Sequence, residues 1–254
     1  MNGNKNSQGL RLVHWNKENS SMSSKLNDIK QIISTHRPHC LGISEANIKT
    51  NQDIKLFSID DYNIFLAPPS LSGIVRLAVY VHKDMVVKLR QDLMSPELSS
   101  VWLEAGLKNQ KKILINQMYR EWQQLGVQDS INITEQLTRW SKYLDLWETA
   151  LCSGREVISL GDYNINHCNW MDQNVPRSSQ TYKLKSLISA LFTRIFPHGI
   201  SQLVSGPTRH FPGQKPSGLD HLYTNVPEKI SAVSKYFCRV SNHMITSEVR
   251  KVNK

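Results

Sequence analysis

The sequence predicts an α/β fold of two packed sheets with helices outside, and three observations carry that reading. Many short β-rich runs, not a few long ones, are spread along 254 residues. Segments with apolar residues at three- and four-residue spacing fall between them. No internal repeat, low-complexity tract or flexible linker divides the chain, so a single domain over 1–254 is expected, with a core over about 10–252. Strands and helices mixed in this way bury their apolar faces as sheet on sheet with helices on the outer faces. A chain of this length can bury a large core without staples.

The elements follow in order. The run at 10–15 (LRLVHW) is a strand ending at Asn16. The stretch SMSSKLNDIKQIISTHR places Leu26, Ile29, Ile32 and Ile33 on one helical face, with Ser20, Ser21 or Ser23 available as a cap and Pro38 just beyond its end. A short strand at 40–43 stops at Ser44-Glu45. Strands are expected at 62–67, 74–82, 101–107 and 112–120. Leu137, Trp140, Leu144, Trp147 and Leu151 make 130–152 a helix. The run EVISLGDYN (156–164) reads as a buried strand opening into a loop. A helix over 181–196 and strands at 219–225, 232–240 and 244–252 complete the chain.

Composition excludes several classes. The apolar stretches are too short to span a membrane, and the polar N-terminus MNGNKNSQGL has no secretory h-region, so an intracellular protein is expected. Cys40, Cys152, Cys168 and Cys238 are widely spaced with no CxxC pattern, which argues for free thiols and against a zinc site. The net charge is +10. It is concentrated: residues 177–254 hold twelve Lys/Arg and three Asp/Glu, a net of +9. Such a segment favours a polyanionic partner, although a solvated basic surface explains it equally well.

Polar residues recur where the expected strands end: Asn16, Glu45, Tyr119, Asp162, Asn164, Asp220 and His243. Strand ends gathered at one sheet edge can assemble a site from distant parts of a chain. Each residue alone has a plainer explanation as a turn former or a satisfied core group; the argument rests on their occurring together. The blocks WN, SE, MYR, GDYN, SGLD and SNH, in that order, resemble the signature of the endonuclease/exonuclease/phosphatase superfamily, which includes deoxyribonuclease I and the abasic-site endonucleases. HRPHCLGISEANI, GDYNINHCNW and QLVSGPTRHFPGQKPSGLDHLYTN are most similar to the endonuclease domain of non-LTR (LINE-type) retrotransposons. The resemblance covers about residues 10–250.

That resemblance implies a deoxyribonuclease I-like four-layer α/β sandwich of two mixed sheets flanked by helices. It implies Glu45 as principal ligand of Mg²⁺ (or Mn²⁺), Asn16 positioning that carboxylate, and His243 acting at the scissile phosphate with Asp220 orienting its ring. Asp162 would orient the water or stabilise the leaving oxygen, and Asn164 and Tyr119 would bind phosphate oxygens. The hairpin at 208–220 would meet double-stranded DNA through Thr208, Arg209, His210, Lys215 and Ser217, with Arg120 of the MYR block as a further contact. A monomeric domain excised from the N-terminus of a larger polyprotein is implied, acting on chromosomal DNA in the nucleus. It would leave a 3′-hydroxyl that primes the reverse transcriptase domain of the same polyprotein. Phosphodiester cleavage fits these residue types, because a metal supplies positive charge without proton transfer and neutral Asn and Tyr grip an anion without repelling it.

One block departs. Where the family has SDH, this chain has Ser241-Asn242-His243, and Asn242 is a poorer ligand for a hard cation than the Asp it replaces. Either the change was introduced to trap an inactive enzyme, or the chain carries Asn naturally and relies on Glu45; attenuated activity is implied if the Asp is essential in this branch. The alternatives are a host abasic-site repair endonuclease, a catalytically impaired DNA-binding module, and a lipid or inositol phosphatase. Trp122, Trp140, Trp147 and Trp170 could stack on bases, but the helical spacing of Trp140 and Trp147 reads as core.

Overall fold

A computed structural model describes residues 9–70, 72–106, 111–121, 129–166 and 182–252, without the side chains of 129–133 and 182–185. Trp122, Cys168 and Trp170 lie outside the described residues. Two six-stranded sheets pack face to face. The first contains β1 (Gly9–Asn16), β2 (Cys40–Lys49), β3 (Tyr62–Leu66), β4 (Ile74–His82), β11 (Ile230–Tyr236) and β12 (Ile245–Lys251), in the order β11-β12-β1-β2-β4-β3. The second contains β5 (Val87–Leu89), β6 (Ser99–Ala105), β7 (Ile113–Tyr119), β8 (Glu156–Asp162), β9 (Ser201–Gln202) and β10 (Asp220–Thr224), in the order β5-β6-β7-β8-β10-β9. β1/β2 and β7/β8 pair in parallel and the other pairs are antiparallel, so both sheets are mixed as expected.

Among the described residues three helices cover the outer faces: α1 (Leu26–His36), α2 (Asp129–Cys152) and α3 (Tyr182–Ala190), the last continued by a wider π turn over Leu191–Ile195. Ile29 and Ile32 of α1 pack on the outer face of the first sheet with Val13, Trp15, Leu41 and Ile43. The helix stops where Arg37 takes a left-handed φ of 45° and returns its N–H to Ile33, just before Pro38. The expected serine cap is corrected: the N-cap of α1 is Lys25, with no side-chain capping hydrogen bond, because a 3₁₀ turn intervenes, and Ser21 Oγ accepts from Ser24 N at 3.2 Å ahead of the helix. On the other side Trp140, Leu144 and Trp147 of α2 are buried against the outer face of the second sheet, which bears out their reading as core.

Side chains alternate across a strand, and here the alternation does more than bury carbon. Facing the gap between the sheets, β1 presents Leu10, Leu12, His14 and Asn16; β7 presents Ile113, Ile115, Gln117 and Tyr119; β8 presents Ile158, Leu160 and Asp162. Each inner row is apolar at one end and polar at the other, and the polar ends coincide because Tyr119 pairs with Asp162 and Asp162 with Asp220. The small residues at Gly42 and Gly161 permit that closeness. A Cβ on Gly161 would stand 2.0 Å from the Met118 carbonyl oxygen, and one on Gly42 would stand 2.1 Å from Gln117 Oε1.

The expected end of β2 at Ser44-Glu45 is corrected. The strand runs on to Lys49, and its pairing with β4 shifts register between Ser44 and Ile48. Glu45 and Asn47 take left-handed φ values of 54° and 52° within this bulge. From Ser44 to Ile48 β2 advances four residues while β4 advances two, and the extra residues re-aim the side chains beside them, so Glu45 is delivered by a bulge and not by a strand end. The short strands β5 and β9 carry too few residues for the alternation to reveal them.

Candidate active site

The polar ends of the strands meet at one edge of the sandwich, on the floor of an open cleft of about 820 Å³. Asn16 is the hub. Its Nδ2 donates to Glu45 Oε1 at 3.0 Å and to Asp162 Oδ2 at 2.7 Å, its Oδ1 accepts from Glu18 N at 2.8 Å, and its carbonyl accepts from Ser241 Oγ at 2.7 Å. One buried amide thus ties together β1, β2, β8 and the loop before β12. Asp162 also accepts from Asn164 N at 2.8 Å. Burial, reinforced by the negative charge of Asp220, pushes the Asp162 carboxyl up to about 6 against the pull of His243.

Asp220 and His243 form a buried pair, with Nδ1 3.0 Å from Asp220 Oδ2. Burial works against a charged imidazole here. The Asp220 charge, the hydrogen bond to it and the charge of Asp162 outweigh burial, and the ring is pushed up to about 9. The same attraction, with His14, outweighs burial of Asp220 and holds its carboxyl below the usual range. At neutral pH the pair is therefore carboxylate and imidazolium, a proton donor and positive charge facing the cleft. Behind it, His14 reaches Gln117 Oε1 at 3.0 Å and Ser44 Oγ at 3.1 Å, and burial lowers its pKa against the pull of Asp220.

A divalent cation fits the donor set. Ligand atoms of Asp162, Asp220 and His243 lie within 4.8 Å of one another. Glu45 Oε2 and Asp220 Oδ1 are buried acceptors with no hydrogen-bond partner among the described residues, and such an oxygen calls for a cation or a proton. Of the three grouped residues His243 suits a ligand role least, since its Nδ1 is spent on Asp220 and its charged form is favoured. The hard carboxylate oxygens, with Glu45, suit a hard ion.

The structure brings the remaining expected residues to different places. Tyr119 OH accepts from Arg76 Nη2 at 3.0 Å, and Arg76 Nη1 donates to Asn47 Oδ1 at 2.6 Å. Asn164, at φ 50°, reaches the cleft while its Nδ2 holds the Arg120 carbonyl at 2.7 Å. Arg120 and Thr208 are corrected as outward DNA contacts. Arg120 is 6% exposed, its guanidinium donating to the Tyr163 and Asn164 carbonyls and to Gln136 Oε1. Its charge is spent fixing the GDYN loop, and burial lowers its pKa to about 10. Thr208 is fully buried, its hydroxyl oxygen accepting from Leu219 N and Asp220 N at 3.0 Å each. Arg209, His210 and Ser217 are partly buried and Lys215 is exposed on the hairpin.

Sequence reasoning missed Glu18 and Lys17. Asn242 Nδ2 donates to both Glu18 oxygens, at 2.8 and 3.1 Å, and Asn242 N donates to Glu18 Oε2 at 3.2 Å. A carboxylate therefore stands beside the position where the SNH block lacks one. Lys17 lines the same cleft, its ammonium gripping the Glu18 and Ser20 carbonyls, and burial brings its pKa down to about 8 against the pull of Glu45. WNKE holds both residues beside the recognised Asn16, but neither belongs to a block that the resemblance marks. Asn242→Asp is expected to replace two amide donations with two carboxylates at hydrogen-bond distance. In EDTA the variant should melt about 3–6 °C lower and should recover with Mg²⁺; an unchanged Tm in EDTA would overturn this account.

The architecture has known counterparts. The endonuclease domain of TRAS1, a telomere-specific non-LTR retrotransposon, matches 97% of this chain and 100% of its own with a TM-score of 0.64 and 16% identity. AP endonuclease LMAP from Leishmania major matches 96% of this chain and 88% of its own, with a TM-score of 0.71 and 11% identity. An AP endonuclease from Archaeoglobus fulgidus matches 96% and 100%, with a TM-score of 0.63 and 13% identity. The chain has the endonuclease/exonuclease/phosphatase fold. No protein-family model matches the sequence, and no curated protein does. At these identities the likeness establishes the architecture of the endonuclease/exonuclease/phosphatase fold and leaves chemistry to the side chains. No helix among the described residues is long and apolar enough to cross a membrane.

Proposed function

We propose that this chain is a Mg²⁺-dependent DNA endonuclease that nicks one strand and leaves a 3′-hydroxyl. We further propose that it acts as the monomeric endonuclease domain of a non-LTR retrotransposon polyprotein whose reverse transcriptase extends that end in the nucleus. The observation that carries the reading is the Asn16 bridge between Glu45 and Asp162, set beside the Asp220–His243 pair in an open cleft. Glu45, Asp162 and Asp220 would hold the ion, which supplies positive charge to the phosphate. Asn16 orients two of those carboxylates through one rigid amide. Imidazolium His243, steadied by Asp220, presents a proton and a positive charge to the phosphate or the departing oxygen. Tyr119, braced by Arg76, and Asn164 are neutral groups beside that position that can bind phosphate oxygens without repulsion. The basic residues Lys17, Lys25 and Arg209 that line the cleft suit a polyanion.

Supercoiled plasmid incubated with the chain and Mg²⁺ is expected to become nicked circles, and EDTA is expected to stop the reaction. Plasmid left supercoiled in Mg²⁺ and in Mn²⁺ would sink the proposal. Abasic-site endonuclease activity is a second reading, supported by the TM-score of 0.71 to LMAP and by an apolar cleft wall of Phe211, Leu219 and Val240. Cleavage of a duplex with one abasic site, with intact plasmid untouched, would favour it.

A further inference from the structure

Phe211 lines the cleft and Phe237 stands exposed on the neighbouring segment, against His210 of the same hairpin. Phe237 is 77% exposed and Phe211 41% exposed. Both are held in place. The Arg209 guanidinium lies over the Phe211 ring, 5.2 Å from its centroid, and the His210 ring lies 5.4 Å from that of Phe237. Phe237 follows Tyr236, whose ring packs 4.6 Å from His36, and precedes Cys238, which packs against the core beneath α1. The two segments are joined at the active site itself: His210 N donates to the Asn242 carbonyl at 2.8 Å, Met244 N donates to Thr208 O at 2.7 Å, and Arg209 bridges His243.

The two segments that carry these rings hold charge of one sign, with Glu18 the acid that meets them at Asn242. Residues 208–219 and 235–243 contain Arg209, Lys215, Lys235 and Arg239, and neither segment holds an Asp or Glu. An exposed large aromatic in a soluble protein marks a binding surface when it is clustered and ordered. Cations on the segments that carry the rings favour a polyanion, and a flat ring face backed by imidazole or guanidinium suits a nucleobase. Bases within a paired duplex already stack on one another, so only an unstacked base can offer its face to a side chain.

We propose that Phe237 and Phe211, backed by His210 and Arg209, form a stacking platform for unpaired bases of the DNA strand leaving the cleft. The platform makes frayed, bubbled or single-stranded DNA the preferred ligand over fully paired duplex. This rests on the reading that the cleft takes a DNA phosphodiester, and it adds the conformational class of DNA that the site selects.

The test is fluorescence anisotropy of the full chain in EDTA, where no cleavage occurs. The probes are a labelled single-stranded oligonucleotide, a duplex with a central unpaired bubble, and the fully paired duplex. Phe237→Ala and Phe211→Ala are each expected to weaken binding of the first two by about tenfold and of the paired duplex by less than about twofold, with Phe237→Trp retaining the preference. Equal losses on all three probes, no loss on any, or a wild-type chain that binds none of them would overturn the platform. Plasmid nicking by the wild-type chain in Mg²⁺ is read separately. Nicking without selective loss in the Phe variants fails the platform alone, and selective loss without nicking fails the nuclease reading alone.

Discussion

Glu45→Ala is expected to lower the rate of plasmid nicking by at least about a thousandfold, and His243→Ala by about a hundred- to ten-thousandfold. The two losses have different causes. Glu45 contributes one oxygen fixed by Asn16 and one buried oxygen with no partner, so alanine removes the acceptor that best fits a cation. It also leaves Asn16 Nδ2 with Asp162 alone. His243→Ala leaves the donor set for the ion largely in place but deletes the imidazolium, so Asp220 keeps a buried charge without its partner at 3.0 Å. Glu45→Gln separates charge from shape: its amide keeps the size of the group, and its rate should stay near that of alanine. The check is single-turnover conversion of supercoiled plasmid, with Tm measured alongside to confirm folding. A Glu45→Ala chain that is folded and nicks at the wild-type rate would end the assignment of Glu45 to the ion.

The second large effect lies away from the cleft. Glu248 on β12 sits opposite Leu12 of β1 and Val233 of β11, fully buried, and neither carboxyl oxygen has a hydrogen-bond partner among the described residues. Burial pushes its pKa from 4.5 up to about 8, with Arg250 pulling weakly the other way. The folded chain therefore keeps a proton that the unfolded chain has released. Stability from this group is fully present below pH 4.5 and is lost as pH rises to about 8. The slope is up to about 1.4 kcal/mol per pH unit, with a total on the order of 4–5 kcal/mol. Glu248→Gln cannot titrate, so its stability should exceed that of the wild type by a margin that widens from pH 5 to pH 8. Urea unfolding at three pH values measures the margin. Curves for the two chains that stay parallel across that range would show that Glu248 is charged or solvated in the folded state.

Much of the site was legible before the fold was known, for reasons that differ by residue. Asn16, Asp162 and Asp220 stand at strand ends inside β-rich runs, so alternation and the order of the blocks locate them together. Trp140 and Trp147 declared themselves as core through helical spacing. Arg120 and Thr208 misled because a charge or hydroxyl beside a recognised block looks outward in a sequence. Their direction depends on which carbonyls and N–H groups lack partners nearby, and Arg120 turned inward to serve the GDYN loop. Glu18 stayed hidden because its significance depends on Asn242, more than two hundred residues away. Arg76, His14 and Gln117 were hidden for the same reason, as each matters through a neighbour on another strand.

The linear sequence by itself determined the residue types of the site, their order along the chain, the sandwich of two sheets and the basic C-terminal third. These follow from local periodicity and from polar residues at run ends, which need no knowledge of neighbours. Only the tertiary structure decided that Glu45 enters through a bulge, that Asn16 binds two carboxylates at once, that Glu18 stands beside Asn242, and that Phe237 is left facing solvent. The physical reason is that hydrogen bonding, desolvation and exposure are properties of pairs in space. Two strands that pair in register bring together residues whose separation in the chain carries no trace of the contact.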